Sequence, residues 1–163
     1  MAFRRILAVG DVHGHMEKLY TLWKKIAFDD KEDMLVFLGD YIDRGKKSVE
    51  ALRFVQKQVE CHENVHALCG NHEAMMLGYL RTHGLDDFDP MDLWLMNGGD
   101  VTLDQLMGLS AEDAEGLIAF VKACPLYDRI QHGGQSILFV HANNISGEVA
   151  IAAAAAPIGA AVG

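Results

Sequence analysis

Gly10-Asp11-Val12-His13-Gly14, Gly39-Asp40-Tyr41-Ile42-Asp43-Arg44-Gly45 and Gly70-Asn71-His72-Glu73 each follow a short apolar run. The runs, at residues 6–9, 34–38 and 65–69, are continuous, as strands buried on both faces are. Helical stripes separate them. Leu19, Leu22, Trp23 and Ile26 fall at i, i+3, i+4 and i+7, and Val49, Leu52, Val55 and Val59 give a second helical stripe. A helix over about 73–80 follows the third run. Asp11 to Asp40 is 29 residues and Asp40 to Asn71 is 31, each the length of one βα repeat. Adjacent parallel strands then present Asp11, Asp40 and Asn71 side by side at the carboxyl edge of a sheet, where open α/β sheets bind ligands.

Outward from this core the pattern changes. Asp89-Pro90 reads as a helix start with proline at the first helical position. Ser110-Ala111-Glu112-Asp113 reads as a capping box with Asp as its acid, and Pro125 closes that helix. Residues 127–130 and 136–140 flank Gly133-Gly134 as a hairpin whose second strand delivers His141. The expected division is a domain over 1–149 and a tail over 150–163. Eight of the tail's residues are alanine and none is charged. It reads as a real small-residue segment, as the product of truncation or frameshift, or as alanine stand-ins for unidentified residues.

The 163 residues fit one domain, and 50% hydrophobic with 23% charged content excludes a disordered or fibrous chain. Fourteen basic against 23 acidic residues give a net charge of −9. That balance argues against nucleic acid and anionic membrane as partners. Cys61, Cys69 and Cys124 are odd in number and lack CxxC spacing, which excludes a disulfide framework and points to a reducing, cytoplasmic setting. Arg4 and Arg5 precede only a five-residue apolar run that Asp11 ends, so no secretory leader is expected.

A single Gly-Asp after a strand is most simply a helix cap. Three such endings at repeat spacing, two with an adjacent histidine, point instead to a metal site. Hard oxygen donors beside imidazoles suit Mn, Fe or Zn. One shared carboxylate makes a two-metal site able to clamp a phosphoryl group and acidify a water.

The three segments resemble the GDxHG, GDxxDRG and GNHE signature of the phosphoprotein-phosphatase branch, which includes bacterial serine/threonine phosphatases, of the calcineurin-like metallophosphoesterases. Every fixed position matches, and the resemblance covers roughly residues 4–145. Trp94, Asn97-Gly98-Gly99 and Thr102-Leu103 are similar to a segment of bacterial members. The resemblance implies an α/β sandwich of two mixed sheets flanked by helices, with the C-terminal part of the second sheet incomplete here. It implies two divalent metal ions, Mn first and Fe or Zn as alternatives. Asp11 and His13 would be private to one ion, Asp40 would bridge, and Asn71 and His141 would hold the other. It implies His72 as general acid, Asp43 as the carboxylate that orients it, and Arg44 and Asn71 as contacts of the substrate phosphate. A carboxylate beside His72 would favour its protonated form, and a guanidinium offers a phosphate two parallel donors.

The implied activity is phosphomonoester hydrolysis by direct attack of a metal-bound hydroxide, on phosphoserine or phosphothreonine in proteins or on a small phosphoester. A symmetrical dinucleoside tetraphosphate hydrolase is the second reading, since residues 44–55 resemble that relative too. Such relatives usually end the third motif in Asp and lack the acid at position 43. A degenerate fold that binds metal without turnover is the third. Two departures bear on it. His141 is followed by Ala142-Asn143 rather than Ala-Gly or Gly-Gly, and no His, Arg or Lys follows position 141. The family's last metal-binding histidine and second phosphate-gripping arginine therefore have no counterpart. His15, His62, His66, His83 and His132 read as surface or loop residues. The eight methionines read as core filler, and Asp86, Asp87, Asp89 and Asp92 as a solvated loop.

Overall fold

The computed structural model describes residues 3–85, 87 and 89–141, so the 150–163 tail and the expectations placed on it lie outside the described span. Strands β1 (Arg5–Val9), β2 (Asp33–Phe37) and β3 (Val65–Ala67) form a parallel sheet in that order. Helices α1 (Met16–Ile26) and α2 (Ser48–Cys61) make the crossovers. The register sets Val9 against Phe37 and Phe37 against Ala67. The three strands thus finish level, and the loops after them open at one edge.

All five residues of β2 are buried, because both faces of the sheet are covered. Leu35 and Phe37 join a cluster with Leu19, Leu52, Val55 and Met76. Their neighbours Met34 and Val36 point the other way, to Leu68 and Ile130, as the two-residue period of a strand requires. The helices take the first face and a hairpin takes the second. At the opposite end of the strands, Arg5 donates to the buried carboxylate of Asp33 and holds it well below the usual carboxylate range.

Helix α3 (Asn71–His83) begins two residues before the expected start, because the Asn71-His72-Glu73 motif is itself its first turn. The expected helix start at Pro90 is not found. Asp92 Oδ1 accepts from Trp94 N at 2.7 Å and caps the chain there, and the helix begins at residue 93. The helical chain kinks at Gly98, whose φ of 92° is left-handed, before it enters α4 (Asp100–Met107). Helix α5 (Ala111–Ala123) starts as expected, with Ser110 Oγ accepting from Asp113 N at 3.1 Å.

Strands β4 (Tyr127–His132) and β5 (Gln135–Val140) form the antiparallel hairpin through Gly133-Gly134. It docks through Ile130 and Phe139 and through a hydrogen bond from Cys69 N to Pro125 O at 2.8 Å. His66 on β3 and Asp128 on β4 pair across the same junction, so His66 is not a plain surface residue. Met16, Met34 and Met76 fill core positions, but Met91 and Met96 are 76% and 65% exposed, against the expectation for methionine here. No helix among the described residues is long and apolar enough to cross a membrane.

Candidate functional site

The three loops at the sheet edge lock into one another. Val12 N and His13 N both donate to Asp40 O at 2.9 Å, and Gly14 N donates to Tyr41 O at 2.8 Å. A Cβ at Gly45 would fall 2.1 Å from His13 O, and one at Gly70 would fall 2.2 Å from Asp40 Oδ1, so neither position has room for a side chain. The crowding forces the backbone of its neighbours. His13, Asp40, Asp43 and Arg44 hold φ of 45°, 54°, 73° and 64°, the left-handed region that residues other than glycine occupy at a cost.

Glu73 holds this arrangement together. Its buried carboxylate accepts from Asp40 N at 2.8 Å, Tyr41 N at 2.8 Å and Gly70 N at 2.9 Å. Burial, with the Asp40 charge beside it, pushes its pKa up to about 7. The sequence had offered Glu73 only as a hint to substrate type, and its bracing role was missed. The signal lay in an acid two residues after Asn71, where it can reach back to the amide that precedes the helix.

Asp40 is the hub. Its Oδ2 lies 3.7 Å from His13 Nε2 and 3.3 Å from His141 Nε2. His13 Nε2 is also 3.8 Å from Asp11 Oδ2, and His141 Nε2 is 2.9 Å from Asn71 Oδ1. Two donor groups result, Asp11 with Asp40 and His141, and His13 with Asp40 and His72, each with its ligand atoms within 4.8 Å of one another. All five residues expected to bind metal therefore meet. The donors also fit such an ion chemically. His13 Nδ1–H donates to Ile42 O at 2.8 Å, which leaves the Nε2 lone pair facing the carboxylates. The geometry adds His72 to a donor group, whereas the resemblance makes it an acid.

His72 is 2% exposed, and its Nδ1–H donates to Asp43 Oδ2 at 2.6 Å. Trp94 Nε1–H donates to the same oxygen at 2.9 Å, and Thr102 Oγ1–H donates to Oδ1 at 2.7 Å. Burial raises the Asp43 pKa, while the bonds from Thr102, His72 and Trp94 work against that rise. Asp43 N is held by Ser48 Oγ and Thr102 Oγ1, both at 3.0 Å. Trp94 and Thr102 stood in the sequence as a resemblance without a role. The structure places both on Asp43, 51 and 59 residues away, a juxtaposition that local pattern does not carry. Arg44 Nη1 donates to His13 Nε2 at 2.8 Å and Nη2 to His72 Nε2 at 3.0 Å, so one guanidinium spans both imidazoles. Arg44 N is fixed by Gly98 O at 3.1 Å.

Residues 4–151 match the family model described as calcineurin-like phosphoesterase. The chain is 30% identical over 143 residues to serine/threonine-protein phosphatase 2 of Salmonella typhimurium, an alignment over 86% of this chain and 59% of that protein. It is 31% identical over 134 residues to the symmetrical bis(5'-nucleosyl)-tetraphosphatase of Buchnera aphidicola, over 82% of this chain and 42% of that one. This chain thus spans about half the length of these relatives. A protein serine/threonine phosphatase structure from Saccharomyces cerevisiae shares the fold, with a TM-score of 0.50 at 17% identity over 77% of this chain and 38% of that one.

Proposed function

Because the chain belongs to the calcineurin-like phosphoesterase family, we propose that it is a metal-dependent phosphomonoester hydrolase acting on phosphoserine or phosphothreonine in proteins. The observation that carries this reading is the buried Asp43–His72 pair, whose Nε2 opens onto Arg44 beside the Asp40-centred donors. Asp11, His13 and Asp40 would hold one divalent ion, and Asp40, Asn71 and His141 a second. Such ions, with Mn the first candidate, supply Lewis-acid charge for the phosphoryl oxygens and make water a better nucleophile at neutral pH.

The chain's own residues do the rest. Arg44 turns its two donors from the imidazoles to the phosphate oxygens, where a planar fork fits well. That movement frees His72 Nε2 to carry a proton. His72 gives the proton to the leaving oxygen, while its Nδ1–H stays on Asp43 and keeps the ring aimed. The Asn71 amide adds a contact to the phosphate.

A second reading, a symmetrical dinucleoside tetraphosphatase, is favoured by the Buchnera aphidicola relative. The acid at position 43 speaks for the phosphoprotein. The test compares hydrolysis of a phosphoserine peptide and of diadenosine tetraphosphate, with manganese and after exhaustive chelation. We expect the peptide to turn over faster and chelation to abolish both activities. Preference for the dinucleotide would install the second reading. Tight metal binding with no turnover of either would install a non-catalytic role.

A further inference from the structure

The loop that carries Arg44 runs directly into α2, and one side of that helix is basic. Lys46, Lys47, Arg53 and Lys57 line a groove of about 680 Å³ between α2, Tyr20 of α1 and Gln105 of α4. Glu50 is the one carboxylate in its lining, in a chain whose net charge is −9. The cations lie in a row. Lys46 and Lys47 lie on the approach to α2, Arg53 and Lys57 lie along it, and Glu50 sits between the two pairs; the helical rise from Ser48 to Lys57 covers roughly 14 Å. An extended peptide covers that distance in about four residues. Phe54 supplies an apolar floor.

Part of this charge is already engaged. Lys47 reaches Glu17 at 2.8 Å and Glu50 at 3.4 Å, and Arg53 reaches Asp113 at 3.5 Å. Lys46 and Lys57 are exposed and have no ion-pair partner among the described residues. They stand at the two ends of the row, and Lys46 is two residues from Arg44.

We propose that this groove docks an acidic segment of a protein substrate, next to the phosphorylated residue held at Arg44. The inference rests on the phosphoprotein reading and deepens it. Positive charges spaced along a line match carboxylates spaced along an extended chain. A compact anion would meet only one end of the row. The acidic remainder of the surface repels such a segment, so the groove is where it settles.

The test separates docking from turnover. A fluorescein-labelled, unphosphorylated peptide of alternating Glu and Ser is titrated at low salt against the full chain, beside a Gln and Ser control peptide. The wild type is expected to prefer the acidic peptide by about 10-fold, the scale of a few exposed charge pairs acting together. Lys46→Glu with Lys57→Glu removes that preference. Lys31→Glu with Lys122→Glu, the same charge change outside the groove, retains it. No preference in the wild type, a preference that survives Lys46→Glu with Lys57→Glu, or an equal loss in both double variants overturns the proposal. Hydrolysis of a phosphoserine peptide is measured separately. Turnover without acidic preference sinks the groove alone, and acidic preference without turnover sinks the phosphatase reading alone.

Discussion

Every residue of β2 is buried, whereas β4 buries only Ile130 and β5 buries none of its residues. These two regions supply one site on unequal terms. The parallel sheet presents Asp11, His13, Asp40, Asp43, Arg44, Asn71 and His72 on loops that Glu73 ties together. The hairpin presents His141 alone, and among the described residues it meets the sheet through a small apolar cluster, the His66–Asp128 pair, the His141–Asn71 bond and, just before β4, the bond from Cys69 N to Pro125 O. The Asp43–His72 pair, proposed to handle the proton, lies wholly within the braced region, while the proposed metal donors straddle the boundary. On that reading, rigidity is concentrated where a bond must be aimed, and the looser region offers a ligand that an ion can draw into place.

Four changes break or sharpen that contrast. The largest effect belongs to His72→Ala, which should cut turnover of an alkyl phosphate by roughly 10²–10⁴, the range for a lost general acid. The loss should shrink for aryl phosphates, whose leaving groups need less protonation, and added manganese should not repair it. Equal losses on both substrates would remove the acid role. Next comes Glu73→Ala, which strands three buried amides. At roughly 1 kcal/mol or more each, urea unfolding should show a loss of at least about 3 kcal/mol. A loss below about 1 kcal/mol would mean that the loops hold themselves.

His141→Ala probes the other region. It should weaken metal binding about 10–100-fold, the scale of lost support around a metal, and unlike His72→Ala it should regain activity as manganese is raised. Failure to recover would place His141 among the proton-handling groups. The smallest effect is at the junction. Asp128 raises the pKa of His66 above its ordinary 6.5, so that contribution is full below 6.5 and is lost as pH rises through the raised value. His66 lowers Asp128 below its ordinary 3.8, so that contribution is full above 3.8 and is lost as pH falls through the lowered value. The stability gap between wild type and Asp128→Asn should therefore be flat between these pH values, at no more than about 1 kcal/mol, and fade on either side. A gap independent of pH would show that the pair acts by packing.

The braced region was the legible one. Strand, turn and helix repeat within about 30 residues there, so the positions of Asp11, Asp40 and Asn71 follow from spacing alone. The start of α3 is not legible, because the proposed metal motif and the helix cap are the same four residues. The approach to α4 was misread because the side chain of Asp92, not the fixed φ of Pro90, set its first turn. The supports of Asp43 were out of reach for a different reason. Trp94 and Thr102 come to it only when two helical segments joined by the kink at Gly98 fold back over α2, and no short-range pattern encodes that approach.

The left-handed backbone at His13, Asp40, Asp43 and Arg44 sets stability against function in selection. Each such residue costs about 1 kcal/mol relative to a relaxed conformation, and together they claim a good part of the 5–15 kcal/mol by which a domain of this size is stable. Arg44 is the exposed member of the four, so glycine at that position relieves strain without emptying the core. A library sorted for heat resistance alone should drift toward that glycine, and under the proposed role of Arg44 its descendants should be sturdier and inert. On the proposed function, the arginine persists only where selection acts on turnover.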